Sequence, residues 1–459
     1  MSRLTLHSDG LERLDELLAN PAGHRIGVLG FGVAGAAMAR EASRRGFRVV
    51  VVDRRSDVDL AGLNAELRSE STAVFDDCEA VVLSPGADPR QALVQRVLER
   101  GAPVLGELEL AGELPGTTIA ITGTNGKSTT TAWIGQIAKS SGAKTFVGGN
   151  LGTPIIEWSR ECEDPDVMVL ELSSFQLETA YRARFNVAAV LNITPDHGER
   201  YARFEDYALA KSRLVENLGP ADVAVLNARD PETRALADRT KARVWWFSPG
   251  EELPGPNGVV LNGRELRGYG EASPLDGVQL GSVRIPGAHN LENAMAALAC
   301  SCAAGIDDWT GLVEFPGLPD RLEFVQELNG VAYINDSKAT NDEAAATAVL
   351  AMDRPVVLLA GGVEKGGGYR KLVDAARGRV RCALCYGEAG AAIATELSSS
   401  LDTENLRGFA DAFDRAQQLA QSGDVVLLAP ACSSFDEFSN YRARGEAFRS
   451  AVARLGESQ

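Results

Sequence analysis

Thr122-Gly123-Thr124-Asn125-Gly126-Lys127-Ser128-Thr129 follows directly on the apolar run 118–121 and opens a stretch of helical length, 129–141. A strand, a glycine-bearing loop and a helix in that order gather backbone N–H groups, a helix N-terminus and an ammonium around one point. A polyphosphate suits that point, with Lys127 on its terminal phosphates and the Ser128 hydroxyl on its magnesium. The strict G-x-x-x-x-G-K-[ST] pattern is not met, because Ile121 stands where the first glycine belongs. The context nevertheless favours a nucleotide-phosphate loop over a merely structural glycine turn.

Outward from this loop, short Val- and Ile-rich runs recur at 26–29, 49–52, 80–83, 167–170, 187–191, 223–226, 356–359 and 425–428. Continuous apolar runs of that length read as parallel strands buried on both faces. Ala-rich helical stretches such as 33–45 alternate with them, so the expected fold class is α/β. At about 150 residues per domain, 459 residues suggest three domains or two large ones. A Pro- and Gly-bearing segment at 106–116 and Phe315-Pro316-Gly317-Leu318-Pro319 are the natural linkers. The expected domains are therefore 1–107, 108–317 and 318–459. The Gly- and Pro-rich segment 248–287 reads as hairpins inside the second.

A second glycine loop, Gly30-Phe31-Gly32-Val33-Ala34-Gly35, lies between the runs 26–29 and 49–52, and Asp53 follows. This G-x-G-x-x-G is open to NAD(P) or FAD, to another phosphate-bearing ligand, or to a purely structural turn. The second of these is preferred, since two phosphate-type loops in successive domains suit two phosphorylated substrates. Further candidates stand at strand ends, where open α/β sheets hold ligands. Glu171 opens Glu171-Leu172-Ser173-Ser174-Phe175-Gln176-Leu177-Glu178, and His197 closes Thr194-Pro195-Asp196-His197. Either suits magnesium or its waters. Lys211 sits on an expected helix, where spacing alone reads as a solvated face.

Composition narrows the class. Hydrophobic residues at 45% and charged residues at 24% exclude a disordered chain. A net charge of −17 disfavours nucleic acid and anionic membrane as partners. No apolar run approaches the ~18 residues of a membrane span, so a cytoplasmic protein is expected. Cys78, Cys162, Cys300, Cys302, Cys382, Cys385 and Cys432 are scattered, no second pair completes Cys300/Cys302 or Cys382/Cys385 as a zinc site, and they are expected to be structural thiols.

Taken in order, the loop at 122–129, Gly149-Asn150-Leu151-Gly152, 171–178, Asp196-His197, Gly287-Ala288-His289-Asn290 with Asn293, Asn335-Asp336-Ser337-Lys338-Ala339-Thr340-Asn341 and Pro430-Ala431-Cys432-Ser433-Ser434 resemble the Mur ligase family. The resemblance runs from the Gly30 loop to Phe448. It implies a Rossmann-like N-terminal domain, a central P-loop ATPase domain with a mostly parallel sheet, and a C-terminal Rossmann-like domain. The implied reaction is ATP-dependent amide bond formation through an acyl phosphate, adding D-glutamate to UDP-N-acetylmuramoyl-L-alanine in peptidoglycan precursor synthesis. A monomer is the default.

The resemblance also assigns roles. ATP would be held by Gly123, Thr124, Asn125, Gly126, Lys127, Ser128, Thr129, Asn290, Asn293, Arg321 and Asp336. Two magnesium ions are implied, with Ser128 and Glu171 at the first and His197 with a carbamylated Lys211 at the second. Lys127, Glu171, His197 and Lys211 would form the catalytic set. Val33, Asp53, Arg54, Arg55, Gly86 and Asn150 would bind the UDP substrate. Lys338, Thr340, Lys365, Ser434, Phe435 and Tyr441 would bind glutamate.

Three positions depart from the family pattern: Asp320 replaces a His and reverses the charge there, Ala34 replaces a Thr or Ser, and Tyr441 replaces a Phe. None touches the phosphate-handling residues. The competing readings are another ligase of the superfamily, a catalytically silent UDP-sugar binder, and a nicotinamide-dependent oxidoreductase. The first is opposed by the 336–341 motif, the second by the presence of all four catalytic residues, and the third by the loop at 122–129.

Overall fold

The apolar runs form strands that collect into three sheets among the described residues of a computed structural model, 8–457 except 199, 251, 282, 284–286, 365 and 367. The first sheet contains β1 (Arg25–Leu29), β2 (Arg48–Val52), β3 (Ala65–Leu67), β4 (Ala80–Leu83) and β5 (Val104–Leu105), ordered β3-β2-β1-β4-β5 and parallel throughout. Its strands are buried on both faces for a simple reason. Val49 and Val51 point into one core with Met38 and Leu14, while Val50 and Val52 point into another with Phe75 and Val94.

The second sheet contains β6 (Thr117–Thr122), β7 (Thr145–Gly149), β8 (Val167–Glu171), β9 (Val187–Val190), β10 (Val223–Asn227), β11 (Arg243–Ser248), β12 (Gly258–Asn262) and β13 (Glu265–Tyr269). Their order is β13-β12-β11-β10-β9-β6-β8-β7, and only the β12–β13 hairpin pair is antiparallel. Segment 248–287 thus supplies the hairpin expected of it. The chain leaves β6 toward β7 and β8 on one side and then crosses to β9 on the other. That reversal opens a crevice above the carboxyl ends of β8, β6 and β9.

The third sheet contains β14 (Glu323–Leu328), β15 (Val331–Asn335), β16 (Val356–Gly361), β17 (Val380–Tyr386), β18 (Asp402–Asn405) and β19 (Val425–Leu428), ordered β14-β15-β19-β16-β17-β18. Only β14 runs antiparallel to its neighbour. Helices Phe409–Leu419 and Tyr441–Glu457 seal one face with Phe413, Phe448 and Val452.

The chain divides into two compact units, Met1–Gly281 with Glu292–Leu312, and Ser282–Leu291 with Val313–Gln459. The first two sheets share the first unit. No described helix is long and apolar enough to cross a membrane. The seven cysteines are free, and burial pushes thiols such as Cys78 and Cys385 up to about 12, as structural hydrophobes require.

Candidate active site

The loop after β6 is held in shape by the loop after β9. Thr124 N donates to Asn192 O at 2.9 Å, Asn125 N to Asn192 Oδ1 at 2.8 Å, and Asn192 Nδ2 returns a bond to Asn125 O at 3.1 Å. Gly126 has φ +84°, and a Cβ there would lie 2.3 Å from Asn293 Oδ1, so only glycine permits this approach. Helix Lys127–Ser140 begins immediately afterwards, two residues earlier than the sequence suggested. Lys127 Nζ donates to Gly123 O and Thr124 O, at 2.9 and 2.8 Å. Ser128 is buried and Thr129 half-buried in the first turn.

Glu171 ends β8 beside this loop and is 1% exposed. Its Oε1 accepts from Asn150 Nδ2 at 2.7 Å, while its Oε2 is buried with no hydrogen-bond partner. A buried carboxylate oxygen left unsatisfied is costly unless a cation completes it, so the donor set suits a hard divalent ion. The next residues lock the turn: Ser173 Oγ accepts from Gln176 N, and Gln176 Oε1 accepts from Ser173 N. Asn150, expected on the UDP substrate, is thereby placed on Glu171.

Lys211 projects from helix Phe204–Glu216 and is 1% exposed, so the solvated-face reading of its spacing is corrected. Its Nζ donates to Gly123 O at 2.8 Å and lies 4.7 Å from the Tyr207 ring centroid. Burial first, and then the charge of Lys127, hold its ammonium well below the usual lysine range, with Asp196 and Glu171 pulling the other way. His197 has φ +53° and its ring packs 4.9 Å from Phe175 and 6.2 Å from Tyr207. Thus Lys127, Glu171, His197 and Lys211, far apart in sequence, gather above three adjacent strand ends.

On the first sheet a cavity of about 260 Å³ is lined by Gly30, Asp53, Arg54, Glu70, Ser84, Gly86 and Gln91 among others. A Cβ on Gly35 would lie 1.9 Å from Gly30 O, which explains the third glycine of the motif by close packing. Asp53 Oδ2 accepts from Phe31 N at 2.6 Å and its Oδ1 from Arg55 Nε at 3.0 Å, and the Arg55 hydrogen bond, as the main cause, holds its carboxyl at about 2. Arg55 therefore braces Asp53 instead of lining the cavity, and Val33 is exposed outside it. Ala34 is half-buried in the same turn. Glu70 and Gln91 escaped sequence reading, since neither belongs to a motif and only folding brings them to this wall.

In the second unit, Asn341 caps helix Asp342–Leu350 by accepting from Ala344 N at 2.8 Å, which fixes the end of the 335–341 motif. Lys338 is exposed, with Nζ 4.2 Å from the Tyr441 ring centroid. The added phenol of Tyr441 accepts from Arg442 Nε at 3.3 Å. Thr340 is half-buried, Ser434 is buried and Phe435 is exposed; Lys365 lies outside the described residues. Burial pushes the Asp336 carboxyl up to about 7, against the pull of a backbone N–H at Leu322 and of Arg321. Asp320 takes φ +63° and its carboxylate meets Arg449 Nη1 and Asn335 Nδ2, both at 3.0 Å. The charge reversal expected there is met internally by Arg449. Asn290, in this unit, and Asn293, in the first, lie three residues apart on helix Ala288–Ala303, both buried.

With this geometry in hand, comparison with known proteins is specific. Residues 121–301 match the Mur ligase middle domain and residues 320–432 the Mur ligase glutamate ligase domain. The chain is 42% identical over 459 residues to UDP-N-acetylmuramoylalanine--D-glutamate ligase of Anaeromyxobacter dehalogenans (strain 2CP-C), covering 93% of this chain and 97% of that one. The chain belongs to the Mur ligase family. Another Mur ligase relative, the enzyme of the same name from Koribacter versatilis (strain Ellin345), is 38% identical, covering 95% of this chain and 99% of that one. Among solved Mur ligase structures, UDP-N-acetylmuramoyl-L-alanyl-D-glutamate--2,6-diaminopimelate ligase shares the fold with a TM-score of 0.56 at 17% identity, over 95% and 93% of the two chains. Residues 25–152 also match the NAD binding domain of 6-phosphogluconate dehydrogenase, in keeping with the parallel sheet and glycine turn at its start. ATP and magnesium use is typical of the Mur ligase family.

Proposed function

We propose that this chain is an ATP-dependent amide ligase that joins D-glutamate to UDP-N-acetylmuramoyl-L-alanine, with release of ADP and phosphate, as a cytoplasmic step of peptidoglycan precursor synthesis. The observation that carries the reading is the convergence of Lys127, Glu171, His197 and Lys211 above β8, β6 and β9, in a chain 38–42% identical over nearly its full length to D-glutamate ligases.

The chemistry follows from charge. The substrate carboxylate must approach a triphosphate, and two anions meet only where cations offset their repulsion. Lys127, on the glycine loop, neutralises the terminal phosphates. A carboxylate oxygen then attacks the γ-phosphorus, the bond to the β-phosphate oxygen breaks, and ADP leaves. The amine of glutamate attacks the acyl phosphate carbonyl, loses a proton and expels phosphate. Ser128 and Glu171 would hold one magnesium ion, and His197 with a carbamylated Lys211 a second. When bound, these ions supply charge neutralisation at the phosphates. The unsatisfied Oε2 of Glu171 supports the first site. The downward shift of the Lys211 ammonium supports the carbamate, since the unprotonated amine is the form that adds carbon dioxide.

The cavity at Asp53, Arg54 and Gly86 is the proposed UDP site. Asn290, Asn293, Arg321 and Asp336 are proposed for the nucleoside of ATP, and Lys338, Thr340, Lys365, Ser434, Phe435 and Tyr441 for glutamate. Three domains divided near 107/108 and 317/318, the middle one a P-loop ATPase, are proposed on the three sheets. The working form is taken as a monomer.

The test is phosphate release by purified protein with ATP, magnesium and UDP-N-acetylmuramoyl-L-alanine, comparing D-glutamate, L-glutamate and no amino acid. Release that depends on D-glutamate is expected. Release with L-glutamate alone would overturn the acceptor assignment, and release with neither would overturn the function.

A further inference from the structure

Arg444 lies in helix Tyr441–Glu457 with none of its surface exposed. A guanidinium carries five N–H donors, and the side chain forms five hydrogen bonds. Nε donates to Ser337 Oγ at 3.0 Å; Nη1 donates to Gly361 O at 3.2 Å and Ser433 O at 3.4 Å; Nη2 donates to Ser337 O and Cys432 O, both at 3.0 Å. These acceptors lie at the carboxyl ends of β15, β16 and β19, three neighbouring strands at the centre of the third sheet. One side chain thus ties together the three loops that leave the carboxyl edge of that sheet.

Two features separate Arg444 from an ordinary structural arginine. Every acceptor is a carbonyl or a hydroxyl, and among the described residues no carboxylate hydrogen-bonds to it. Buried Arg200, by contrast, is paired with Glu178. A buried cation without a hydrogen-bonded anion is costly; the Glu437 carboxylate feels its charge through space without bonding to it. The second feature is adjacency. Ser337 precedes Lys338, and Ser433 precedes Ser434, both proposed to hold the amino acid. The Ser337 hydroxyl accepts from Arg444 and donates to Tyr441 O at 2.8 Å, which joins the start of the helix to the same knot.

We propose that Arg444 is a positioning residue for the dicarboxylate amino acid. Through Ser337, Ser433 and the Ser337–Tyr441 contact it holds the loops that carry Lys338 and Ser434 and the start of the helix in register, and it places a positive charge beneath the loops proposed to receive two carboxylates. The proposal deepens, and rests on, the glutamate site proposed above. Arg444 itself does not touch the substrate.

The test separates amino-acid binding from the earlier phosphoryl transfer. Arg444→Lys keeps the charge and loses the fork; Arg444→Met loses both. For Arg444→Lys, the KM for D-glutamate should rise roughly tenfold to a hundredfold, the scale of lost hydrogen bonds to a charged group. Its KM values for ATP and the UDP substrate should stay within about twofold of wild type. Acyl phosphate formed without amino acid, trapped with hydroxylamine, should be retained. Arg444→Met should show the same selectivity with a larger rise. Should either variant fail to fold, Ser337→Ala removes one acceptor and the tie to Tyr441, and a smaller selective rise is expected. Equal rises for all three substrates, loss of acyl phosphate trapping, or an unchanged glutamate KM in a folded variant would overturn the proposal. Absence of D-glutamate-dependent turnover in wild type would overturn the functional reading, and this proposal with it.

Discussion

Arg200 meets Glu178 at 2.6 Å in a buried ion pair, and its other terminal nitrogen donates to Ala87 O at 2.9 Å. Arg200 belongs to the loop that carries His197, Glu178 to the turn after Glu171, and Ala87 to the loop after β4. One guanidinium therefore joins the proposed UDP loop to the crevice proposed as catalytic, and its face lies 4.8 Å over the Phe175 ring that packs on His197.

Breaking this pair from one side should be severe. Arg200→Met leaves the Glu178 carboxylate buried and unpaired, with an expected loss of about 3–5 kcal/mol in urea unfolding. The double variant Arg200→Met, Glu178→Leu should recover most of that loss, because the orphaned charge is gone. A double variant no more stable than the single one would show that the pair is not the source.

Lys127→Ala should lower turnover by roughly 10²–10³-fold, the range seen when one charge-stabilising donor is removed. Its melting temperature should stay near wild type, since its Nζ donates to Gly123 O and Thr124 O of its own loop. A marked fall in melting temperature would make Lys127 a structural residue.

If Lys211 works as a carbamate, Lys211→Ala should be nearly inactive and partly rescued by a short-chain carboxylic acid that supplies the missing oxygens. Turnover assays with and without acetate or propionate decide this. No rescue in a folded variant would count against the carbamate.

Stability should depend on pH through Glu107, which is 3% exposed between the first two sheets. Burial, the largest cause, raises its carboxyl to about 7, although Ile156 N donates to Oε1 at 3.0 Å and Gln176 Nε2 to Oε2 at 3.4 Å. A carboxyl raised in the folded state favours folding when protonated. Its contribution is complete below the unfolded value near 4.5 and is lost as pH rises toward 7, about 3 kcal/mol in all. Glu107→Gln, a mimic of the protonated acid, should flatten unfolding free energy between pH 5 and 7 and be the more stable form at pH 8. Parallel wild-type and variant curves would refute the assignment.

Local chemistry made much of this protein legible from its sequence alone. Valine and isoleucine runs declare buried parallel strands, and the glycine-lysine-serine loop needs only its neighbours to form, so strand-loop-helix at 117–140 followed from pattern. The ordered motifs carried the family as well. What tertiary structure decided are the properties that depend on burial and on contacts remote in sequence. Lys211 is an unremarkable helical lysine until folding takes it out of water and sets it beside Lys127. Asn150 acquires its partner Glu171, and Asp320 its partner Arg449, only when distant strands and helices pack. Arg444 gains its five acceptors from three loops that lie 11 to 107 residues away along the chain. Backbone propensity is read over a few neighbouring residues, whereas desolvation and ion pairing are set by whatever the whole fold places next to a charge.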